Sequence, residues 1–186
     1  MAYSKYLETL VKEGLENSKG ISTLYSKGVI NILKNAKEPR DKLMEYVKGR
    51  KIIDIGCGMK NSAEEYALFL INELGASSYC GVDPFMDKED ISKHAESKIK
   101  YVKKDALAYL LEQPDESAVI TANGVLNEEI ISHKEYMEKL KEEIYRITPK
   151  NGIFFGAHID NPKSFEKYGF KHILGSNSLP INILKK

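Results

Sequence analysis

The chain is short of the features that mark secreted, membrane-spanning or nucleic-acid-coating proteins. Its 186 residues include two cysteines, Cys57 and Cys80. Two are too few for a disulfide framework, and no metal-ligand spacing surrounds them, so no metal is expected. Neither has a histidine beside it in sequence to activate a thiol; Cys57 reads as a small turn residue and Cys80 as a buried strand residue. No stretch approaches the roughly 18 apolar residues of a membrane span. The N-terminal "MAYSKYLETLVKEG" carries lysine and glutamate through its apolar positions, unlike a signal peptide. A cytoplasmic location follows as the expectation. Internal repeats and low-complexity tracts are also missing.

Net charge is only +1, yet its sign is unevenly spread. Residues 1–51 hold 11 Lys/Arg against 6 Asp/Glu, and residues 52–186 hold 17 against 21. A positive segment of that size attracts anionic partners, nucleic acid included. However, it has no arginine-rich run and no interleaving of basic with aromatic residues. Helices with solvated lysines are therefore the favoured account of it.

What is present is a core-forming composition, 42% hydrophobic and 30% charged, in a chain of single-domain length. Leu7, Leu10, Val11 and Leu15 recur at helical spacing, as do Ile21, Leu24, Val29, Ile32 and Leu33. Gly20 and Gly28 interrupt the stretch, which predicts two shorter helices. A third starts at Pro39 and ends by Gly49. Residues 1–50 thus form a helical appendage, and from Lys51 the pattern changes to strand alternating with helix. "KIIDI", "SYCGVD", "IKYV", "SAVITA" and "GIFFGAHI" read as five strands. Between them lie a helix marked by Ala67, Leu68, Leu70, Ile71 and Leu74, with Ser62 and Glu65 as a capping box, a short helix at 106–112, and a helix carrying Met137, Leu140, Ile144 and Ile147. Residues 162–168 predict a helical turn or two, and "FKHIL" with "PINILK" an antiparallel pair. Such alternation predicts a parallel sheet covered by helices on both faces.

In sheets of this kind ligands bind at the carboxyl ends of the strands, near the switch point beside the first strand. "IIDIGCGMK", residues 52–60, places Gly56 and Gly58 there. Glycine permits a tight turn at positive φ and close approach of a ligand to the backbone. The acids sharpen this reading: Asp54 ends the first strand, Asp83 ends the second, and Asp105 follows the third. Asp83, 29 residues after Asp54, is placed like the acid that holds both hydroxyls of a nucleotide ribose. Clustered acids repel phosphate and favour a cation. Each acid taken singly also suits a helix N-cap or a turn.

These elements together resemble the class I S-adenosylmethionine-dependent methyltransferases. "IIDIGCG" is similar to their first motif, hydrophobic residues followed by D-x-G-x-G. "YCGVDP" resembles the second motif, "VKKDA" the third, "EEIYRITPKNGIFF" the helix–turn–strand that follows, and "EKYGFKHI" the late strand after a helix. The likeness runs over residues 50–186 in the family's order. It implies a doubly wound, seven-stranded, mostly parallel α/β sheet whose last strand is antiparallel, with the N-terminal helices as an addition.

The resemblance also implies roles. Gly56, Cys57 and Gly58 would pass beneath the methionine part of S-adenosylmethionine, and Asp54 would reach its ammonium through water. Asp83 would hold the ribose hydroxyls, and Pro84 or Phe85 would flank the adenine. Asp105 would accept from the adenine amino group, with the Ala106 N–H on a ring nitrogen. Asn123 would border cofactor and acceptor. Two departures stand out: Lys60 replaces the family's frequent third glycine, and "GMKNSAEE" is a longer approach to the next helix than usual.

A sulfonium methyl is already a strong electrophile, so alignment of the acceptor is the principal task. A hydroxyl acceptor would need a base, for which His133 and His158 are the best placed, although each also suits a surface or structural role. By resemblance the N-terminal helices form a lid over the acceptor site, lined by Tyr3, Tyr6 and Tyr25, positions that equally suit packing. "TANGVLNEE" lacks the D-P-P-aromatic or N-P-P-aromatic element of many nucleobase methyltransferases. A small-molecule oxygen or nitrogen acceptor is therefore the leading expectation. An RNA or protein methyltransferase using the basic helices, and a non-catalytic cofactor-binding protein, are the alternatives. A nicotinamide dehydrogenase is disfavoured, because Asn61 stands where G-x-G-x-x-G needs its last glycine.

Overall fold

The structure is a computed structural model describing residues 21–58, 60–86, 98–126, 133–176 and 179–186. Two helices open it, α1 (Ile21–Asn35) and α2 (Lys37–Val47). Then follow β1 (Lys51–Ile55), α3 (Lys60–Asn72), β2 (Ser78–Val82), β3 (Ile99–Val102), α4 (Ala106–Leu110), β4 (Val119–Asn123) and α5 (Lys134–Ile147). The chain closes with β5 (Ile153–Ala157), a 3₁₀ helix (Pro162–Tyr168), β6 (Lys171–Ser176) and β7 (Leu179–Lys185).

Among the described residues the strands form one seven-stranded sheet in the order β3-β2-β1-β4-β5-β7-β6. The pairs β1–β2, β1–β4, β2–β3 and β4–β5 are parallel, while β7 runs antiparallel to both β5 and β6. The chain moves outward from β1 through β2 to β3, then returns to the other side of β1 for β4 and β5. The crevice between the carboxyl ends of β1 and β4 is therefore the topological switch point, where open α/β sheets bind ligands.

Central strands buried on both faces read as continuous apolar runs, and β1 and β4 do so. Ile52 faces a core built with α1, α2 and α3 through Val29, Leu33, Leu43, Val47, Ala67 and Leu70. Ile53 and Ile55 face the opposite core, shared with α5 through Leu140, Ile144 and Ile147 and with Phe165 of the 3₁₀ helix. Truncating one such residue, for example Leu140→Ala, is expected to cost about 2–5 kcal/mol. Gly156 of β5 lies against β4 so closely that a Cβ there would sit 1.9 Å from the Ala122 carbonyl oxygen.

Three local expectations need correction. Helix α1 runs through Gly28 unbroken, because burial of Val29, Ile30 and Leu33 on the sheet outweighs the ~1 kcal/mol that glycine costs a helix. Helix α2 begins at Lys37, two residues before Pro39, which occupies its first turn. Helix α3 begins at Lys60, so Ser62 lies within its first turn and not at the N-cap position. The approach from Gly58 is correspondingly short. Gly20 lies outside the described residues.

Candidate functional site

Asp54 pairs in register with Gly81 of β2 and Thr121 of β4, one residue short of the strand end that Ile55 occupies. Its side chain points to the α1–α3 face and is 1% exposed. The Tyr79 hydroxyl donates to Asp54 Oδ2 at 2.6 Å, and Oδ1 is buried with no hydrogen-bond partner. Burial pushes the carboxyl up to about 7; Tyr79 opposes this and nearby Asp83 adds to it. Above Asp54 the chain turns through Gly56 at φ 66° and Gly58 at φ 73°, a conformation that excludes most side chains. A Cβ on Gly56 would lie 2.8 Å from Cβ and Cγ2 of Val125, so the loops after β1 and β4 meet at this glycine.

Cys57, between the two glycines, is buried against β2. Gly81 admits it, since a Cβ there would sit 2.8 Å from Cys57 Sγ and 2.9 Å from Tyr101 Cδ1. Burial raises the Cys57 thiol well above its ordinary value, with the Asp54 and Asp83 charges adding to the effect. A thiol so disposed is inert, in accord with a packing role.

Asp83 follows β2 and grips two backbone segments. Oδ2 accepts from the Gly58 N–H at 3.0 Å and Oδ1 from the Phe85 N–H at 2.8 Å. Burial raises its carboxyl, against those two bonds and the Lys103 charge. Each oxygen keeps acceptor capacity, so the carboxylate ties the glycine loop to the Pro84–Phe85 turn and can still take a donor from a ligand. Pro84 and Phe85 are half-buried beside it.

Asp105 serves first as a helix cap. Its Oδ1 accepts from the Ala108 N–H at 2.9 Å at the start of α4, and its Oδ2 accepts from the Tyr136 hydroxyl at 2.5 Å. Ala106 is the first residue of that helix. His133 is likewise an N-cap, with Nδ1 accepting from the Tyr136 N–H at 3.3 Å at the head of α5. Asp105, Tyr136 and His133 thereby join α4 to α5.

Asn123 ends β4, buried to 1%. Its Oδ1 accepts from the Ala157 N–H at 3.2 Å, while its Nδ2 is buried without a partner. Further bonds zip the β4 and β5 loops together, Gly124 N–H to Ala157 O at 2.9 Å and Asp160 N–H to Leu126 O at 3.0 Å. On the same face the Tyr66 hydroxyl meets Thr121 Oγ1 at 3.1 Å.

The outer wall brings two more expected residues together. The Tyr25 ring from α1 lies so close to Gly124 that a Cβ there would be 2.0 Å from Tyr25 Cδ2. The same ring stands 3.9 Å from the His158 ring, tilted by 36°. His158, exposed and just past β5, holds φ 51°, in the left-handed region that few non-glycine residues adopt and histidine tolerates better than most. Tyr3 and Tyr6 lie outside the described residues. The side chain of Lys60 does too.

Gly56 thus meets the β4 loop at Val125 above Asp54, and Gly58 is tied to Asp83 at the end of β2 beside the buried Cys57. Asn123 ends β4 against Ala157, Tyr25 and His158 stand by Gly124, and Asp105 and His133 are engaged as caps. Tyr79, Tyr66, Val125 and Tyr136 join the site without having been anticipated. Only β1–β2 register brings Tyr79 to Asp54, and no short-range sequence pattern carries that information. Among the described residues, no group of three or more His, Cys, Asp or Glu is arranged to hold a metal ion, and no helix is long and apolar enough to cross a membrane.

No protein-family model matches the chain, and no curated protein sequence matches it significantly. Solved structures do match. One is the Burkholderia thailandensis 1,6-didemethyltoxoflavin-N1-methyltransferase with bound 1,6-didemethyltoxoflavin and S-adenosylhomocysteine: TM-score 0.59, 10% identity, covering 98% of this chain and 89% of that one. Another is the N-methyltransferase NodS from Bradyrhizobium japonicum WM9: TM-score 0.55, 10% identity, covering 81% and 95% respectively. A third is the [4+2]-cyclase SpnF, with TM-score 0.53, 16% identity, and 75% and 60% coverage. The chain has the seven-stranded α/β fold that these methyltransferases and the cyclase share.

Proposed function

We propose that the protein is an S-adenosylmethionine-dependent methyltransferase acting on an oxygen or nitrogen of a small molecule. The observation that carries this reading is Asp54. A buried carboxylate with one oxygen unpartnered, directly before two left-handed glycines at the switch point, calls for a compact cation and rejects a pyrophosphate. The α-ammonium of S-adenosylmethionine is such a cation, and one structure of this fold holds S-adenosylhomocysteine.

The residues fit that cofactor. Asp54 would take the ammonium and Gly56, Cys57 and Gly58 would underlie the amino-acid moiety, with Val125 bordering it. Asp83 would accept from the ribose, and Pro84 and Phe85 would flank the base. Ala106 would offer its N–H to the base. Asp105, committed to the cap and to Tyr136, would reach the adenine only with its remaining lone pairs. Asn123 would border cofactor and acceptor through Nδ2. When bound, the cofactor supplies a transferable methyl on a sulfonium.

The protein's share of the work is then positioning, for which proximity and orientation supply ~7–11 kcal/mol in favourable cases. The N-terminal segment would act as a lid, a reading supported by Tyr25 of α1, which lies over Gly124 and against His158 on the proposed acceptor side. His158 is the residue in reach to accept a proton should the acceptor be a hydroxyl. His133, engaged as a cap, is the weaker candidate. SpnF warns that this fold also serves a cyclase, so the reaction is a matter for the site and not the sheet.

Calorimetry with S-adenosylmethionine, S-adenosylhomocysteine and NAD side by side tests the reading. Binding of the first two at micromolar level or tighter is expected. Tight NAD binding with no response to either would overturn it.

A further inference from the structure

Tyr79 occupies the second position of β2, in register with Ile52, and is 1% exposed. Its phenol donates to Asp54 Oδ2 at 2.6 Å, the length of a charge-assisted O–H···O⁻ bond. That bond pins one oxygen of the carboxyl and leaves the other, Oδ1, buried and unpartnered. The titratable groups acting electrostatically with Asp54 are Tyr79, Cys80 and Asp83 from β2 and its end, Cys57 from the glycine loop and Tyr66 from α3. From β4 it faces Thr121, which bears no charge. None of these groups is a cation. Asp83 repels a second negative charge, so ionised Asp54 has the Tyr79 phenol as its identified stabiliser.

Tyr79 has its own reason to stay protonated. Burial raises the phenol well above its ordinary value, and the neighbouring Asp54 charge raises it further. Between the two groups the labile proton therefore belongs to the carboxyl, and the phenol remains a donor throughout the neutral range.

We propose that Tyr79 is the positioning residue for Asp54, and that seating an α-ammonium group against Oδ1 expels the Asp54 carboxylic proton to solvent, making ligand capture proton-coupled. The inference rests on the cofactor reading above. The exchange balances simply. Asp54 loses H⁺ to bulk buffer, its carboxylate accepts an N–H from the ammonium, and no other covalent bond changes. In the free protein the carboxyl, held near 7, is partly protonated at neutral pH. The incoming cation supplies the opposite charge that burial withholds, and this drives ionisation.

Linkage fixes the sign. Because the free form binds more protons than the complex, affinity rises with pH, approaching tenfold per unit well below the free-state value, and levels off above it. Removing the phenol raises the Asp54 carboxyl further, so the levelling-off moves to higher pH.

The test uses the full-length protein and S-adenosylhomocysteine, which bears the α-ammonium and lacks the reactive methyl. Calorimetric titrations between pH 5.5 and 8 in buffers of different ionisation enthalpy count the protons released. The expected result is close to one proton released at pH 5.5, about half near pH 7, and few at pH 8. Tyr79→Phe, which keeps the ring, is expected to still release most of a proton at pH 7 and to bind several-fold more weakly there. Asp54→Asn is expected to bind weakly with no release. Binding by the parent protein that is independent of buffer and pH would overturn the inference and leave the cofactor reading standing. So would a Tyr79→Phe profile superimposable on the parent's. Absence of binding at every pH would remove both.

Discussion

The ring of Tyr25 lies 3.9 Å from the ring of His158, joining the first described helix to the loop that follows β5. Tyr25 also covers Gly124, whose left-handed turn ends β4. One residue of the N-terminal segment thus touches both loops that would receive the methyl acceptor. Tyr25→Ala and His158→Ala should each lower kcat/KM for the acceptor roughly ten- to a hundredfold, as misplacement of a reacting atom does. Cofactor affinity should change less than about threefold, because neither side chain is among the groups proposed to hold the cofactor. If His158 takes a proton from a hydroxyl acceptor, His158→Gln should lower kcat more than it raises KM for that acceptor.

Asp83 holds the glycine loop and the Phe85 turn through one carboxylate. Asp83→Ala removes the side-chain acceptors of two backbone N–H groups, those of Gly58 and Phe85, as well as the proposed ribose partner. S-adenosylhomocysteine binding should weaken by well over tenfold, since hydrogen bonds to a charged group contribute about 1.5–3 kcal/mol each. Asp83→Asn, which keeps one acceptor oxygen, should lose less. Calorimetry on both variants checks the ranking.

Gly56 combines φ 66° with a Cβ position 2.8 Å from Val125. Gly56→Val is strained at the backbone and collides with the β4 loop, so it should abolish cofactor binding. Gly56→Ala paired with Val125→Gly removes the Val125 Cβ and Cγ atoms from the collision and leaves the backbone strain at residue 56, and should bind with intermediate strength. Normal binding by Gly56→Val would mean the ligand lies elsewhere.

Asp54 makes the free protein's stability depend on pH. Its carboxyl stands near 7 against an ordinary 3.8, so the folded state holds a proton that the unfolded chain has lost. Stability from this group is full below about pH 3.8, declines as pH rises towards 7, and is constant beyond. Denaturant unfolding of Asp54→Asn should therefore gain on the parent by up to ~4 kcal/mol between pH 4 and pH 8, since each tenfold change in proton affinity is worth about 1.36 kcal/mol. A pH-independent difference would show the carboxylate to be better solvated than its burial indicates.

The alternation of strand and helix was legible because period-2 and period-3.6 patterns are local, and Met137, Leu140, Ile144 and Ile147 do line the buried face of α5. The glycines of "DIGCG" were legible for a similar reason, as a strand end followed by a turn. Gly28 misled because a helix break is a local preference, whereas burial of Val29 and Leu33 is a tertiary gain. The three acids separated according to register and packing. Asp54 turned inward to Tyr79, Asp83 bound the glycine loop, and Asp105 capped α4 while accepting from Tyr136. Both tyrosines lie 25 or more residues from the acids they meet, a distance over which sequence spacing says nothing about contact.

A crystal structure with S-adenosylhomocysteine bears most directly on the central claim. The account predicts the ligand's ammonium within hydrogen-bond reach of Asp54 Oδ1, directly or through one water, with both ribose hydroxyls on Asp83. Ligand density away from the β1/β4 crevice, or an ammonium facing solvent with Oδ1 still unpartnered, would contradict it.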